Sequence, residues 1–222
     1  METKRLYIDT CIANDAFVLF STTYRVPPLR QTDLKAPLRN WILDYIALYY
    51  MLDLDDQWNL TFGTSPVMIL EIARMKERSN ALDNKKDWLL NFYDMLGKKP
   101  KAVDPRLFPR DLISKLNHFV PEHRGKDEDV EHLAYAVLGR WDAFITTDQK
   151  TILAHREKLL QVGIEVASPR NFIEDAFMPL DQLVRTLHGS WTTVADVIDG
   201  WLTEISASTS PDSEERGHGV RP

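Results

Sequence analysis

Short apolar segments that suit buried β-strands alternate along the chain with segments of helical periodicity, and this alternation limits the possible folds more than any other feature. Strand-like segments occur at residues 5–13, 58–64, 143–147 and 164–167. Helical patterns occur at residues 38–52, 66–78, 85–96, 110–119, 127–138 and 150–160, and another begins at residue 169. Such alternation is typical of βαβ units. The sequence therefore predicts an α/β fold with a central, mainly parallel sheet flanked by helices.

The pattern also divides the chain into a main domain and a C-terminal extension. We predict one domain over residues 1–177, enlarged by helical insertions at about 14–57 and 79–126. Two amphipathic helices are predicted within 178–205, as a helical extension. From residue 206 the chain consists of Ser, Pro, Gly and charged residues without periodicity, which predicts a disordered tail.

Cysteine count and hydropathy exclude several classes of protein. The single cysteine allows no internal disulfide and no zinc site built on paired cysteines. The longest apolar run, Tyr45 to Leu52, is far shorter than the roughly 18 residues that a membrane-spanning helix needs. The first strand-like segment begins too early to leave space for a signal peptide. We therefore expect a cytoplasmic protein that does not associate with a membrane.

Basic residues are concentrated in the middle of an acidic chain. The net charge is −6, but residues 74–126 contain 13 Lys and Arg against seven Asp and Glu. Such a segment is a candidate contact for a polyanion, although solvated helix faces would give the same count. If the polyanion is a nucleic acid, the candidate contacts are Lys98, Lys99, Lys101, Arg106, Arg110 and Lys115.

Four acidic residues occur where an α/β protein would place its ligand. Asp9 ends the first strand-like segment, and Asp148 directly follows the third. Glu71 lies in an apolar stretch of the helix after the second strand, and Asp129 lies in the first turn of a later helix. Parallel sheets bind ligands beyond the carboxyl ends of their strands. We therefore expect the four carboxyl groups to meet at one edge of the sheet.

A cluster of buried carboxylates needs compensating positive charge, because a single buried ion without a partner is very costly. No matching set of Lys or Arg accompanies these four residues, and carboxylate oxygens suit Mg²⁺ or Mn²⁺. Such a site can activate water for hydrolysis of a phosphodiester. Other interpretations stay open: Asp148 suits a helix cap, Asp129 a favourable charge at a helix start, and His132 a packed or supporting residue.

Four short motifs occur in a fixed order around these acids. They are Tyr-Ile-Asp-Thr at 7–10, Ser-Pro-x-x-x-x-Glu-Ile-Ala-Arg at 65–74, Asp-x-x-His-Leu-Ala-Tyr-Ala at 129–136 and Phe-Ile-Thr-Thr-Asp at 144–148. The segment Gly-Ile-Glu-Val-Ala-Ser-Pro-Arg-Asn-Phe-Ile follows at 163–173. Together, over about residues 4–177, they resemble the PIN-domain ribonucleases.

The resemblance implies a PIN-like Rossmannoid fold and a metal-dependent endoribonuclease that uses Mg²⁺ or Mn²⁺ and a metal-activated water. It assigns metal binding and catalysis to Asp9, Glu71, Asp129 and Asp148, and an orienting hydroxyl to Thr146. It also implies an RNA substrate and, by analogy with toxin–antitoxin members, an antitoxin or another protein partner, or a homodimer. This chain is longer than those toxins, and Gln149 and Lys150 stand where some members carry a further carboxylate.

Four other classes of protein are alternatives to a PIN-type ribonuclease. A catalytically weak PIN-like module that binds RNA or protein stays a candidate, although all four acids are present. A haloacid-dehalogenase-type phosphatase needs a second acid two residues after the first, and Cys11 occupies that position. The chain has neither a Gly-x-Gly-x-x-Gly loop after the first strand nor a Walker-type loop, which argues against a dinucleotide or P-loop enzyme.

Overall fold

The centre of the protein is a four-stranded parallel sheet. A computed structural model of the chain describes residues 2–20, 36–75, 80–96, 105–120 and 128–188. The strands are β1 (Lys4–Ile8), β2 (Leu60–Gly63), β3 (Ala143–Ile145) and β4 (Glu165–Ala167), in the spatial order β2-β1-β3-β4. Every neighbouring pair is parallel. The predicted α/β class with a central parallel sheet is therefore confirmed.

Helices flank the sheet and connect its strands. In chain order they are α1 (Thr10–Phe20), α2 (Ala36–Asp53), α3 (Asp55–Trp58), α4 (Pro66–Arg74), α5 (Asn80–Met95), α6 (Arg110–Phe119), α7 (Glu128–Leu138), α8 (Arg156–Leu160), α9 (Pro169–Ala176) and α10 (Leu180–His188). Short 3₁₀ turns occur at Pro105–Leu107 and Leu153–His155. Within the described ranges, no helix combines the length and apolar character that crossing a membrane requires.

Alternate residues of the central strands build a separate core on each face of the sheet. Leu6 and Ile8 of β1 belong to a core that includes residues of α1, α2, α5, α9 and α10. Tyr7 of β1 and Phe144 of β3 point to the other side and join residues of α6, α7 and α8. The near-continuous apolar strands that the sequence shows are thus explained by a sheet that is covered on both faces.

The first strand is shorter than the sequence pattern predicts. The prediction of a strand over residues 5–13 is wrong beyond Ile8, because α1 begins at Thr10. The Asp9 carboxylate accepts the backbone N–H of Thr10, and the Asp9 carbonyl accepts that of Ile12. The apolar residues after Asp9 continue the hydrophobic pattern of the strand, but they are the buried face of a helix.

Two serines begin helices as the sequence predicts. The Ser65 hydroxyl accepts the N–H of Val67 at 3.3 Å at the start of α4. The Ser168 hydroxyl accepts the N–H of Asn171 at 3.3 Å at the start of α9. A proline follows each serine in the first turn, where its missing N–H costs nothing.

Ser168→Ala is expected to lower the free energy of unfolding by about 0.5–2 kcal/mol, because it removes the side-chain acceptor at the start of α9. Urea denaturation of both proteins measures this difference. Ser114→Ala, at an exposed site within α6, is the control and should change stability little. An equal loss in both variants would contradict the capping role.

Several predicted segments lie outside the described residues. These are parts of the two insertions, at residues 21–35, 79, 97–104 and 121–126, the end of the helix predicted over 66–78, the first residue of the helix predicted over 127–138, and the chain from residue 189 onward, which includes the predicted tail. The first part of the predicted C-terminal extension is described as α10. Leu180, Leu183 and Val184 of this helix are buried in the same core as α9.

Candidate active site

The strand order creates a topological switch point beside β1. The connection after β1 leads to β2 on one side, and the connection after its other neighbour, β3, leads to β4 on the opposite side. Asp9 follows β1 directly, and Thr146 follows β3. Crevices at such a point are the usual ligand sites of open parallel sheets. The structure therefore places the first and last of the sequence motifs at the edge where a ligand is expected.

The Asp9 carboxylate is the centre of a hydrogen-bonded cluster. Its Oδ2 accepts the Thr146 hydroxyl at 2.6 Å and the Cys11 thiol at 3.1 Å. Its Oδ1 accepts the Thr10 N–H at 2.7 Å. The Asp9 side chain is buried, with 6% of the residue exposed. Donors from the ends of β1 and β3 thus hold this carboxylate in one orientation.

Cys11 does not resemble a nucleophile. Burial and the negative charge of Asp9 raise the pKa of the Cys11 thiol well above its ordinary value. The thiol therefore stays protonated and donates to Asp9. Cys11 is therefore a partly buried residue that supports the position of Asp9.

Thr146 connects Asp9 to Asp148. The Asp148 N–H donates to the Thr146 hydroxyl at 3.0 Å, and that hydroxyl donates to Asp9. The Asp148 Oδ1 also accepts the N–H groups of Lys150 at 3.0 Å and Thr151 at 2.9 Å. This oxygen therefore caps the turn at residues 149–152 and not a helix, because the predicted helix over 150–160 has α-helical structure only from Arg156. The shared hydroxyl of Thr146 places Asp148 beside Asp9.

Helices α4 and α7 bring the other two acids to the same edge. Glu71 of α4 contacts His132 of α7, with 3.1 Å between Oε2 and Nε2. Arg74 and Glu128 form a second connection between these helices, as an ion pair. Asp129 lies three residues before His132 and so shares its side of α7. His132 in turn contacts the Thr10 hydroxyl, next to Asp9, at 3.3 Å.

The pKa of Asp129 depends on the charges of the other three acids, so these lie close enough to act on it. Burial raises the pKa of Asp129 to about 6, and the negative charges of Asp9, Asp148 and Glu71 add to the effect. Within the described ranges, the structure gives the Asp129 carboxyl group no hydrogen bond. Asp129 is therefore the acid of the four whose charge the described part of the protein compensates least.

Asp15 is a fifth acid near the site, and the sequence prediction missed it. Its carboxylate accepts the hydroxyls of Thr147 at 2.7 Å and Tyr45 at 2.9 Å. Burial raises the pKa of Asp15 to about 6, with smaller contributions from the charges of Asp44 and Asp9. The available signal was the polar pair at residues 14 and 15, which directly follows the strand-like segment 5–13 and interrupts an apolar stretch of the sequence.

The side chains offer the right donor atoms for a divalent cation, although they are not arranged around one. Carboxylate and hydroxyl oxygens are the ligands that Mg²⁺ and Mn²⁺ prefer. Among the described residues, no group of three or more His, Cys, Asp or Glu has the arrangement of a metal site. Oxygens of Asp9 and Asp148 face protein donors instead. The donor set fits a hard cation, and binding would require rotation of the Asp9 and Asp148 carboxylates, whose oxygens now face protein donors.

The predicted nucleic-acid contacts are only partly described. Lys98, Lys99 and Lys101 lie outside the described residues, and Lys115 is exposed on α6. Arg106 and Arg110 line a groove of about 440 Å³ together with Phe108, Ile113, Ser114 and Asn117.

The groove lies beside the middle of α7 and not beside its start. The Phe108 ring contacts the Tyr135 ring edge-on at 5.1 Å. Tyr135 follows Asp129 by six residues, or about 9 Å along the helix axis. The groove lined by Arg106 and Arg110 therefore lies beside the C-terminal half of α7, away from the first turn that carries Asp129.

Comparison with known proteins adds no further constraint. No family model, no curated protein and no solved structure matches this chain. The class that the structure defines is an α/β protein with a four-stranded parallel sheet and an acidic cluster at its switch point.

Proposed function

We propose that this protein is a metal-dependent ribonuclease with a PIN-like fold, acting as an endoribonuclease on RNA phosphodiester bonds. The observation that carries the proposal is the meeting of Asp9, Glu71, Asp129 and Asp148 at the switch point of a parallel sheet. Burial is the largest cause of the raised pKa of Asp129, and repulsion from the carboxylates of Asp9, Asp148 and Glu71 adds to it. A divalent cation would remove that repulsion, and the four motifs have the order seen in PIN domains.

The contacts of the site residues assign them two different roles, cation binding and orientation of the ligands. Asp9, Glu71, Asp129 and Asp148 would hold Mg²⁺ or Mn²⁺ through their oxygens. The bound cation would supply positive charge for the scissile phosphate and lower the pKa of water at the site. The Thr146 hydroxyl donates to Asp9 and accepts the Asp148 N–H. It therefore fixes the positions of the two strand-end acids relative to each other.

One observation favours the second candidate, a catalytically weak PIN-like module that binds RNA or protein. The strand-end acids have protein donors for their oxygens, so the cluster persists without a cation. For a toxin-like protein the partner would be an antitoxin, and a second copy of the chain is another candidate partner. The two candidates differ in one measurable property, which is cleavage.

Cleavage of a mixture of structured and single-stranded RNAs by the purified protein tests the proposal. We expect fragments with Mg²⁺ or Mn²⁺ and intact RNA with EDTA. Fragments that form equally in EDTA would contradict the metal mechanism. RNA that stays intact with both cations, while the protein binds it, would favour the non-catalytic module.

Replacing Arg106 and Arg110 together by glutamine should weaken RNA binding and reduce its salt dependence. If each arginine neutralises one phosphate of a single strand, the slope of log K against log salt should fall by about 1.4. Binding is measured in an Asp129→Asn background, so that the RNA stays intact at every salt concentration.

The matched control is the double change Lys4→Gln and Arg140→Gln. Both residues are exposed. They lie near the amino ends of β1 and β3, on the edge of the sheet opposite to the acidic cluster. This pair removes the same charge and should leave the slope nearly unchanged. Equal slopes in the two double variants would remove the groove from the RNA contact.

A further inference from the structure

His132 lies at the centre of a chain of buried polar contacts that begins in the core and ends at Glu71. Its Nδ1 is 2.7 Å from the Tyr7 hydroxyl, and its Nε2 is 3.1 Å from Oε2 of Glu71. Its side chain is 1% exposed, and Tyr7 is fully buried. The contacts connect the first strand to α7 and then to α4.

The positions of the hydrogen atoms follow from the chemistry of the two ends. An ionised carboxylate can only accept, so the contact between Nε2 and Glu71 requires a proton on Nε2. A tyrosine hydroxyl has an ordinary pKa of about 10, so it keeps its proton at neutral pH. This hydroxyl can donate to Nδ1 and thereby select the tautomer that carries its proton on Nε2.

We propose that Tyr7 and His132 form a positioning relay, in which the Tyr7 hydroxyl donates to Nδ1 and the Nε2–H holds the carboxylate of Glu71 in its binding orientation. The relay rests on the proposed function, because the orientation matters for a cation. Its role is that of the outer hydrogen-bond partners that orient ligands in metal sites.

The surroundings of Tyr7 make it a rigid starting point for this relay. Its ring stacks on Phe144 at 5.2 Å and meets Trp141 and His132 edge-on at 5.9 and 5.8 Å. The packed ring therefore keeps the hydroxyl oxygen within hydrogen-bond distance of Nδ1, although the side chains of Ser65 and Thr64 also form hydrogen bonds with Tyr7. Apolar side chains would fill the same space without the cost of burying polar groups, so packing alone does not require this arrangement.

The tautomer can be measured on the metal-free protein, without RNA. Nitrogen-15 NMR of the histidine ring should show Nδ1 without a proton and Nε2 with one. Tyr7→Phe removes the donor, keeps the ring packing and should increase the tautomer that is protonated on Nδ1. An unprotonated Nε2 in the wild-type protein would overturn the relay, whereas a failure to cleave RNA would overturn only the proposed nuclease activity.

The effect on the ligand is measured as Mn²⁺ affinity by calorimetry. His132→Leu should weaken binding by about 10–100-fold, as the loss of other ligand-orienting partners does. His132→Gln can place an amide N–H near the former Nε2 and should restore most of the affinity. In a Glu71→Gln background, His132→Leu should have no further effect.

Two results would contradict the role of the relay in binding. One is equal loss of affinity in the Leu and Gln variants, and the other is an undiminished loss in the Glu71→Gln background. Tyr7→Phe provides a milder change if His132→Leu does not fold. Tyr135→Phe is its control, since it removes another buried tyrosine hydroxyl on the same side of the sheet and should leave Mn²⁺ affinity unchanged.

Discussion

Asp129→Asn should remove most RNA cleavage and, at neutral pH, make the metal-free protein more stable. The amide keeps the size of the side chain but removes a negative ligand, so the loss of cleavage should reach at least about 100-fold, the upper range for residues that only orient ligands. Stability should rise because the lost charge is buried beside Asp9, Asp148 and Glu71.

The stabilisation by Asp129→Asn should depend on pH in a defined direction. The pKa of Asp129 is raised to about 6 in the folded protein, above its ordinary value near 4. Between these values the folded state binds more protons than the unfolded state, so wild-type stability falls as pH rises. The advantage of the variant should therefore grow from about pH 4 to about pH 6 and then level off. Urea denaturation in EDTA at several pH values measures it.

Asp111→Asn is the matched control for this prediction. Asp111 lies in the first turn of α6, as Asp129 does in α7, but it is exposed. Removal of its charge should cost about 0.3–1 kcal/mol through the helix dipole and leave cleavage intact. If Asp129→Asn behaves in the same way, destabilised and fully active, then Asp129 only complements its helix and takes no part in a catalytic site.

Asp9→Asn should also abolish cleavage, but it should destabilise the metal-free protein. The Asp9 carboxylate accepts the Thr10 N–H, the Thr146 hydroxyl and the Cys11 thiol. An amide replaces one accepting oxygen with a donor, and an unsatisfied buried group costs about 1–3 kcal/mol. We expect this loss to exceed the relief of repulsion between Asp9 and Asp129.

The same chemical change should thus have opposite effects on stability at two positions of one site. Denaturation of the two variants in EDTA at pH 7.5 makes the comparison, with cleavage assayed on the same preparations. If both variants are stabilised, the hydrogen bonds to Asp9 contribute less than the repulsion does. If both are destabilised, repulsion between the carboxylates does not measurably lower the stability of the metal-free protein. The reason to expect a cation then disappears.

The order of strands and helices is predicted well from the sequence, because the residues that indicate each element lie within that element or next to it. The pairs Ser65-Pro66 and Ser168-Pro169 mark helix starts by their own chemistry, and the structure confirms both. The boundary after Ile8 could not be predicted from hydropathy. The buried face of α1 continues the apolar pattern of β1, and only the hydrogen bond from Thr10 to Asp9 reveals the change of structure.

The acids were easier to find than the residues that support them. Asp9, Glu71, Asp129 and Asp148 stand out in apolar or helix-start contexts, so their positions are readable from the sequence. Tyr7 resembles an ordinary strand residue, and its role depends on contact with His132, 125 residues away. Such contacts arise only when the sheet and α7 pack together, and no local pattern announces them.

Direct measurement of bound Mn²⁺ tests whether the acidic cluster is a metal site. Electron paramagnetic resonance of free Mn²⁺, titrated with the purified protein, gives the number of bound ions and their affinity. We predict that the wild-type protein binds at least one Mn²⁺, that Asp9→Asn and Asp129→Asn bind it much more weakly, and that Asp111→Asn binds it normally. A wild-type protein that leaves Mn²⁺ free, or equal binding by all four proteins, would contradict a cation held by these carboxylates.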